Sequence, residues 1–233
     1  MEVIKNKDNN LVFSADLSNS LVNAIRRQVH EIPVLAVDEV EIAKNGSALH
    51  DETLAHRVGL IPLKNKKTAK EMELKTTKEG NVYSEDLTGD TEVVFDKMPL
   101  TLLQQNQEID LKAYLRQGRG SEHSKFVPGL VFFREEKEVT LPKEHKEEIQ
   151  KHFPDAEIKE SGQKITVKDS GEKDIGDFVE GLADRSGQET QSKNTGNVIV
   201  HIESFGQMKP SEIFQKAVEQ LKADIDVVSK NMK

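Results

Sequence analysis

His50-Asp51-Glu52 with His56 a little further on is the tightest grouping of metal-ligating residue types in the chain. Such a set could hold a zinc ion that activates water, the chemistry of a stand-alone metal-dependent hydrolase. The spacing opposes this, because two histidines share a helical face when they are four positions apart, whereas a six-position separation turns through about 600°. Ser121-Glu122-His123-Ser124 offers hydroxyl, imidazole and carboxylate together, but no strand-turn-helix elbow surrounds either serine. Gly118-Arg119-Gly120 has neither phosphate-binding glycine spacing and reads as a tight turn. Lys64, Lys66, Lys67 and Lys70 form a basic patch, yet no aromatic side chain interleaves with them and Glu71 and Glu73 follow. They read as a solvated loop. The hydrolase built on His50, Asp51, Glu52 and His56 stays open as an alternative.

Composition bounds what else is available. The chain has 233 residues, 35% of them hydrophobic and 5% aromatic, enough to bury about 70% of the unfolded surface in one to three domains. With 33 Lys+Arg against 41 Asp+Glu, the net charge of -8 repels phosphate and disfavours autonomous nucleic-acid binding. No apolar run approaches the roughly 18 to 20 residues of a membrane span. Met1-Glu2-Val3-Ile4-Lys5 lacks the apolar segment of a signal peptide. A soluble, cytoplasmic protein is expected. The absence of cysteine removes disulfides, thiolate zinc sites and cysteine nucleophiles, and it fits a reducing compartment.

The elements that must position these residues follow from periodicity. Val3-Ile4 and the alternation of Leu11, Phe13 and Ala15 flank a polar turn and predict a hairpin. Ser18 caps a predicted helix whose apolar stripe is Leu21, Val22, Ile25, Val29 and Ile32, and Pro33 ends it. Residues 34 to 42 read as a strand. Asp51 is expected to cap a short helix from 52 to 58, with Gly59 in the left-handed position beyond it. Residues 64 to 80 read as an exposed hairpin or loop, and strands are expected at 92 to 95 and 126 to 133. Residues 134 to 195 stand out, with 16 acidic against 11 basic side chains. They read as a small α+β insert: a helix from 143 to 153, a strand from 164 to 168, a second helix from 175 to 182, and flexible polar residues from 186 to 195. A strand at 198 to 202 and a long helix capped by Ser211 close the chain.

That last helix carries the sharpest periodic signal. Phe214, Val218, Leu221, Ile225 and Val228 are spaced 4, 3, 4, 3, with Ile213 and Ala217 alongside, which is the narrow seam of helix-on-helix packing. Periodicity alone leaves open whether the seam packs within the monomer or against another subunit.

Four ordered blocks resemble a known family. They are Leu21-Val22-Asn23-Ala24-Ile25-Arg26-Arg27; Ile32-Pro33-Val34-Leu35-Ala36-Val37-Asp38-Glu39-Val40-Glu41-Ile42; Asp51-Glu52-Thr53-Leu54-Ala55-His56-Arg57-Val58-Gly59-Leu60-Ile61-Pro62-Leu63; and Gly118-Arg119-Gly120-Ser121-Glu122-His123-Ser124-Lys125-Phe126-Val127-Pro128. With Glu203-Ser204-Phe205-Gly206 and the C-terminal seam, they span nearly the whole chain. The family they resemble is the D-type subunit of archaeal DNA-directed RNA polymerase, counterpart of the N-terminal region of the bacterial alpha subunit and of the third-largest subunit of eukaryotic RNA polymerase II.

The resemblance implies an α+β fold: a discontinuous dimerisation domain of a sheet plus two helices (1 to 38 with 196 to 233), an inserted mostly-β domain (39 to 133), and the small insert (134 to 195). It implies an assembly subunit of a nucleotidyltransferase, with no catalytic site and no metal site of its own. Leu21, Val22, Ile25, Phe214, Val218, Leu221, Ile225 and Val228 would pair with a smaller subunit, L. Arg26, Arg27, Arg57, Gly59, Glu122, His123 and Lys125 would dock the heterodimer onto the two largest subunits, beside other small subunits and with little direct nucleic-acid contact. Asp38 and Glu39 could instead orient the arginines. In many archaeal members the insert holds an iron–sulfur cluster through cysteines. This chain has no cysteine, so a cluster is excluded and no cofactor is expected.

Overall fold

In the computed structural model, which describes every residue except Lys67, Asp155, Ser170, Glu172, Ser186, Gln188, Glu189 and Lys233, helices and several sheets are mixed along the chain. The elements of the first half are β1 (Glu2–Lys7), β2 (Asn10–Ala15), α1 (Asn19–Gln28), β3 (Val34–Asn45), α2 (Asp51–Gly59), β4 (Glu71–Thr76), β5 (Gly80–Tyr83), β6 (Thr88–Gly89), β7 (Pro99–Leu103) and β8 (Ile109–Gly118). Then come β9 (Gly129–Pro142), α3 (Lys146–His152), β10 (Glu157–Ser161), β11 (Lys164–Asp169), α4 (Ile175–Arg185), β12 (Gln191–Ser204) and α5 (Pro210–Asn231). They form two compact units, Met1–Ala24 with Val131–Ile202 and Ile25–Leu130 with Glu203–Lys233.

The first unit is built on a six-stranded sheet in the order β1-β2-β12-β9-β11-β10. β1 and β2 are the expected hairpin, with Asp8 at φ 52 in its turn, a conformation that aspartate tolerates better than most residues. The strands of the 134 to 195 segment continue the sheet made by the chain ends. They also carry their own core, where Val139, Leu141, Ile165 and Val167 meet Ile149 of α3 and Val179 and Leu182 of α4. Within this unit Glu136 is buried and accepts hydrogen bonds from Thr195 Oγ1 at 2.6 Å and Asn197 Nδ2 at 3.1 Å. Burial pushes its carboxyl up, but these hydrogen bonds and Lys168 outweigh it and hold the group below the usual range. Asp169, also buried, is paired with Arg134, whose Nη2 donates to the carbonyls of Gly171 at 2.8 Å and Lys173 at 3.1 Å. The partners satisfy charges that burial would otherwise penalise heavily.

The second unit contains a four-stranded sheet, β3-β8-β4-β6, and the two-stranded ribbon β5-β7. Alternate residues of β8 face a core in which Leu111 and Ala113 join Val37, Leu54 and Val58 of α2, Met72 and Leu74. The outer face of the sheet is charged, with Lys112 Nζ 2.8 Å from Glu71 and Tyr114 Oη donating to Glu41 at 3.0 Å.

Several local expectations are corrected. Residues 64 to 80 are more than an exposed loop, because β4 buries Met72 and Leu74 between charged neighbours. Its two apolar positions are a period-two signal that the surrounding lysines and glutamates mask. The segment 92 to 95 is no strand; Val93 makes only an isolated bridge to Leu63. Residues 124 to 126 form a 3-10 turn, and the next strand starts at Gly129. The N-cap of α2 is His50 rather than Asp51, and Asp51 Oδ1 instead accepts from Asn45 Nδ2 at 2.8 Å. Gly59 closes α2 with no positive φ. Lys209 caps α5, with Pro210 at the first helical position in place of a Ser211 cap. Of the tract 186 to 195, expected to be flexible, Gln191 to Thr195 belong to β12; Ser186, Gln188 and Glu189 lie outside the described residues. Ser18 does cap α1, its Oγ accepting from Leu21 N at 3.3 Å.

Candidate functional site

α5 divides its apolar residues between two fates. Pro210, Ile213 and Ala217 are buried, so these flanking positions anchor the helix to its own chain. The seam beside them is left open: Phe214, Val218 and Leu221 are half-buried, while Ile225 and Val228 are 58% and 57% exposed. From Lys222 to Met232 every residue is exposed. A helix end of about three turns exposed in this way is marginal in water on its own, and its apolar residues form an exposed stripe. Where α1 approaches this helix, Gln28 Nε2 donates to Asp224 Oδ2 at 3.0 Å.

α1 supplies less free surface than its stripe suggests. Val22 and Ile25 are 1% and 5% exposed and belong to the chain's core, whereas Leu21 is 42% exposed. Arg26 is half-buried and Arg27 exposed.

β3, β8 and the 119 to 128 segment meet in an ion-pair cluster centred on a residue that sequence reasoning missed. Arg116 of β8 donates from Nε to Asp38 Oδ2 at 2.9 Å and from Nη1 to Glu122 Oε2 at 2.8 Å. Lys125 Nζ lies 3.2 Å from Asp38 Oδ1, and the Arg119 backbone N–H donates to Glu122 Oε1 at 3.1 Å. The Arg116 guanidinium beside Asp38 and Glu122 holds both carboxyls below the usual range, and its own pKa rises. The Arg116 and Lys125 cations also lie 4.9 Å and 5.1 Å from the ring centroid of the buried Phe126, within reach of its quadrupole. Thus Asp38 orients Arg116 and Lys125. The register of β3 against β8 sets Ala36 opposite Arg116 and so brings Asp38 close, a pairing that no local sequence signal marks.

Glycines separate internal from external needs. A Cβ on Gly118 would fall 2.5 Å from the Phe126 ring, so the fold itself demands glycine there. A Cβ on Gly59 would meet nothing within 4 Å. Neither conformation nor packing within the chain requires glycine at that position. Arg57, two residues earlier, is half-buried and lines a groove with Leu49, Asn81 and Leu102.

The chemistry weighed for catalysis is not assembled. Among the described residues no group of three or more His, Asp or Glu side chains is placed to hold a metal ion; His50, Asp51, Glu52 and His56 are all exposed along α2 and its cap. His123 Nδ1 accepts from Lys125 N at 3.1 Å, so the neutral ring carries its proton on Nε2, the nitrogen that would have to accept one from a serine hydroxyl. The one Asp-x-Asp of the chain, Asp224-Ile225-Asp226, lies on α5, where i and i+2 diverge. The insert offers no thiolate for an iron–sulfur cluster. Of the basic patch, Lys64 pairs with Glu92 and Lys66 Nζ donates to Asp90 O at 2.8 Å, and Lys67 lies outside the described residues. No helix among the described residues is long and apolar enough to cross a membrane.

Residues 31–128 match the family model described as the RNA polymerase Rpb3/RpoA insert domain. The chain is 32% identical to DNA-directed RNA polymerase subunit Rpo3 of Thermococcus kodakarensis over 225 residues, covering 85% of this chain and 84% of that one. It is 29% identical to Rpo3 of Methanobrevibacter smithii over 265 residues, covering 96% and 95%. With Rpo3 of Pyrococcus horikoshii the match is 33% over 151 residues, and it spans 58% of each chain.

Proposed function

The chain belongs to the DNA-directed RNA polymerase subunit Rpo3 family, and from that premise we propose that it is a non-catalytic assembly subunit of an archaeal RNA polymerase. It works in the cytoplasm as part of a nucleotidyltransferase whose chemistry resides on other subunits, and it holds no cofactor. Its first step is pairing with the small subunit L through the seam Phe214, Val218, Leu221, Ile225 and Val228 together with Leu21. Val22 and Ile25 support that surface from beneath. The heterodimer then receives the two largest subunits on Arg26, Arg27, Arg57, Gly59, Glu122, His123 and Lys125, with other small subunits alongside.

The observation that carries this reading is the open seam. α5 buries Ile213 and Ala217, leaves Val218 and Leu221 half-buried and carries Ile225 and Val228 out into solvent, as an interface helix does when seen without its partner. The domain plan accompanying it is a dimerisation domain from residues 1 to 38 and 196 to 233, an inserted domain from 39 to 133, and the module from 134 to 195; the family match over 31–128 supports the inserted part. Nothing in the arrangement of His50, Asp51, Glu52 and His56 favours the hydrolase reading.

Affinity purification of the tagged full chain from its own cells tests the proposal. The expected result is co-purification of a small L-type subunit and both large polymerase subunits in equal amounts. A chain recovered alone, or as a homodimer without polymerase subunits, would contradict it.

A further inference from the structure

Resting on the docking role proposed above, we infer that the groove around Arg57 receives a segment of a partner polypeptide that presents a carboxylate beside an apolar side chain. The groove encloses about 370 Å³, and its floor is the β5-β7 ribbon. Asn81 and Leu102 are opposite each other in that ribbon and so share one face. Leu102 is 54% exposed there. Leu49, preceding α2, forms an apolar wall, and Arg57 reaches in from the last turn of α2.

The charge balance identifies the occupant. No acidic residue lines the groove, and among the described residues the Arg57 side chain has no ion-pair or hydrogen-bond partner. One planar guanidinium faces a half-enclosed, partly apolar space, the setting in which a bidentate carboxylate contact is strongest. Asn81 and Gln104 add neutral amides able to hydrogen-bond a peptide backbone. A polyanion is a poor fit, because a single cation in a chain of net charge -8 gives it little attraction. Just beyond Arg57 the space around Gly59 is open and Leu60 is 44% exposed, so a partner backbone can approach past the groove. The partial negative charge at the C-terminus of α2 also favours a cation at Arg57. That role would be served equally by lysine, whereas the proposed contact would not.

The test places a photo-activatable benzoylphenylalanine at position 102 of the full chain, within the assembled polymerase. The expected result is covalent attachment to one partner segment with an Asp or Glu beside the attachment point. Its yield should fall about tenfold with Arg57→Gln and clearly less with Arg57→Lys, the loss expected for one charge-assisted pair. Thermal midpoints of the Arg57 variants should match the parent, which separates lost contact from lost fold. Attachment that ignores Arg57→Gln, attachment to a segment without Asp or Glu, or no attachment in a normally assembled polymerase would each overturn the groove assignment while leaving the assembly role standing. A chain that enters no polymerase would overturn both.

Discussion

Along α1, Val22 and Ile25 face the chain's own core, as does Val29 in the 3-10 turn that follows, whereas along α5 only Pro210, Ile213 and Ala217 do so and the stripe from Phe214 to Val228 stays partly or wholly in solvent. Both helices carry an apolar periodicity of the same kind. The difference is in what surrounds them: the α1 stripe has a core to enter, and among the described residues the second half of α5 is exposed from Lys222 to Met232. Periodicity therefore reports that a face is destined for burial, and only the tertiary structure reports by whom.

Placing a charge in each helix should break the comparison open. Ile25→Asp buries an unpaired carboxylate and should cost more than about 4 kcal/mol, enough to leave the chain unfolded in a urea titration. Leu221→Asp with Ile225→Asp should weaken pairing with an L-type subunit by about a hundredfold or more. The same double change should alter the stability of the free chain, measured by urea titration, by less than about 0.5 kcal/mol, because both positions already meet solvent. Equal damage to folding from the two sets would mean that the seam is internal.

The glycines extend the contrast to single atoms. Gly118→Ala drives a methyl into the Phe126 ring and should destabilise by about 1 to 3 kcal/mol. Gly59→Ala should instead stabilise the free chain by about 0.5 to 1 kcal/mol, since it replaces a helical glycine where space is open. It should at the same time lower incorporation into polymerase, measured by subunit ratios after purification. A Gly59→Ala chain that assembles as well as the parent would remove Gly59 from the docking surface.

The smallest effect expected is electrostatic. Asp38 and Glu122 are depressed by Arg116, so the stability they add is present above the ordinary carboxylate range and is lost as pH falls through their lowered folded values. Arg116→Gln should therefore lower the urea midpoint at neutral pH, and its difference from the parent should shrink steadily below about pH 4. A difference that is independent of pH would assign Arg116 a packing role on Phe126 alone.

Much of this organisation was legible in the residues, for identifiable reasons. The first hairpin, α1 and the insert's two helices with the strand β11 between them follow from spacing and turn chemistry, and the C-terminal seam from its 4-3-4-3 rhythm, whereas β10 (Glu157–Ser161), whose side chains are mostly exposed, was missed. The strand β4 was hidden because two apolar residues between lysines and glutamates give a weak period-two signal. The cap of α2 depended on tertiary choice, since Asn45 draws Asp51 into a different hydrogen bond. The ion-pair cluster could not be read from sequence because it joins Asp38, Arg116 and Glu122 through strand register, and nothing local marks Arg116. Glu136 was equally hidden: its partners Thr195 and Asn197 lie on another strand, and only sheet order brings them together. The Arg57 block was visible as a motif, while the groove that gives it chemistry needed the β5-β7 ribbon.

Mass measurement by light scattering after size exclusion, on the chain alone and co-expressed with an L-type subunit, bears most directly on the open seam. A stable one-to-one complex, with a free chain that self-associates through its uncovered stripe, is the result expected. A well-behaved monomer that ignores the L-type subunit would contradict the account, because the seam would then need no partner.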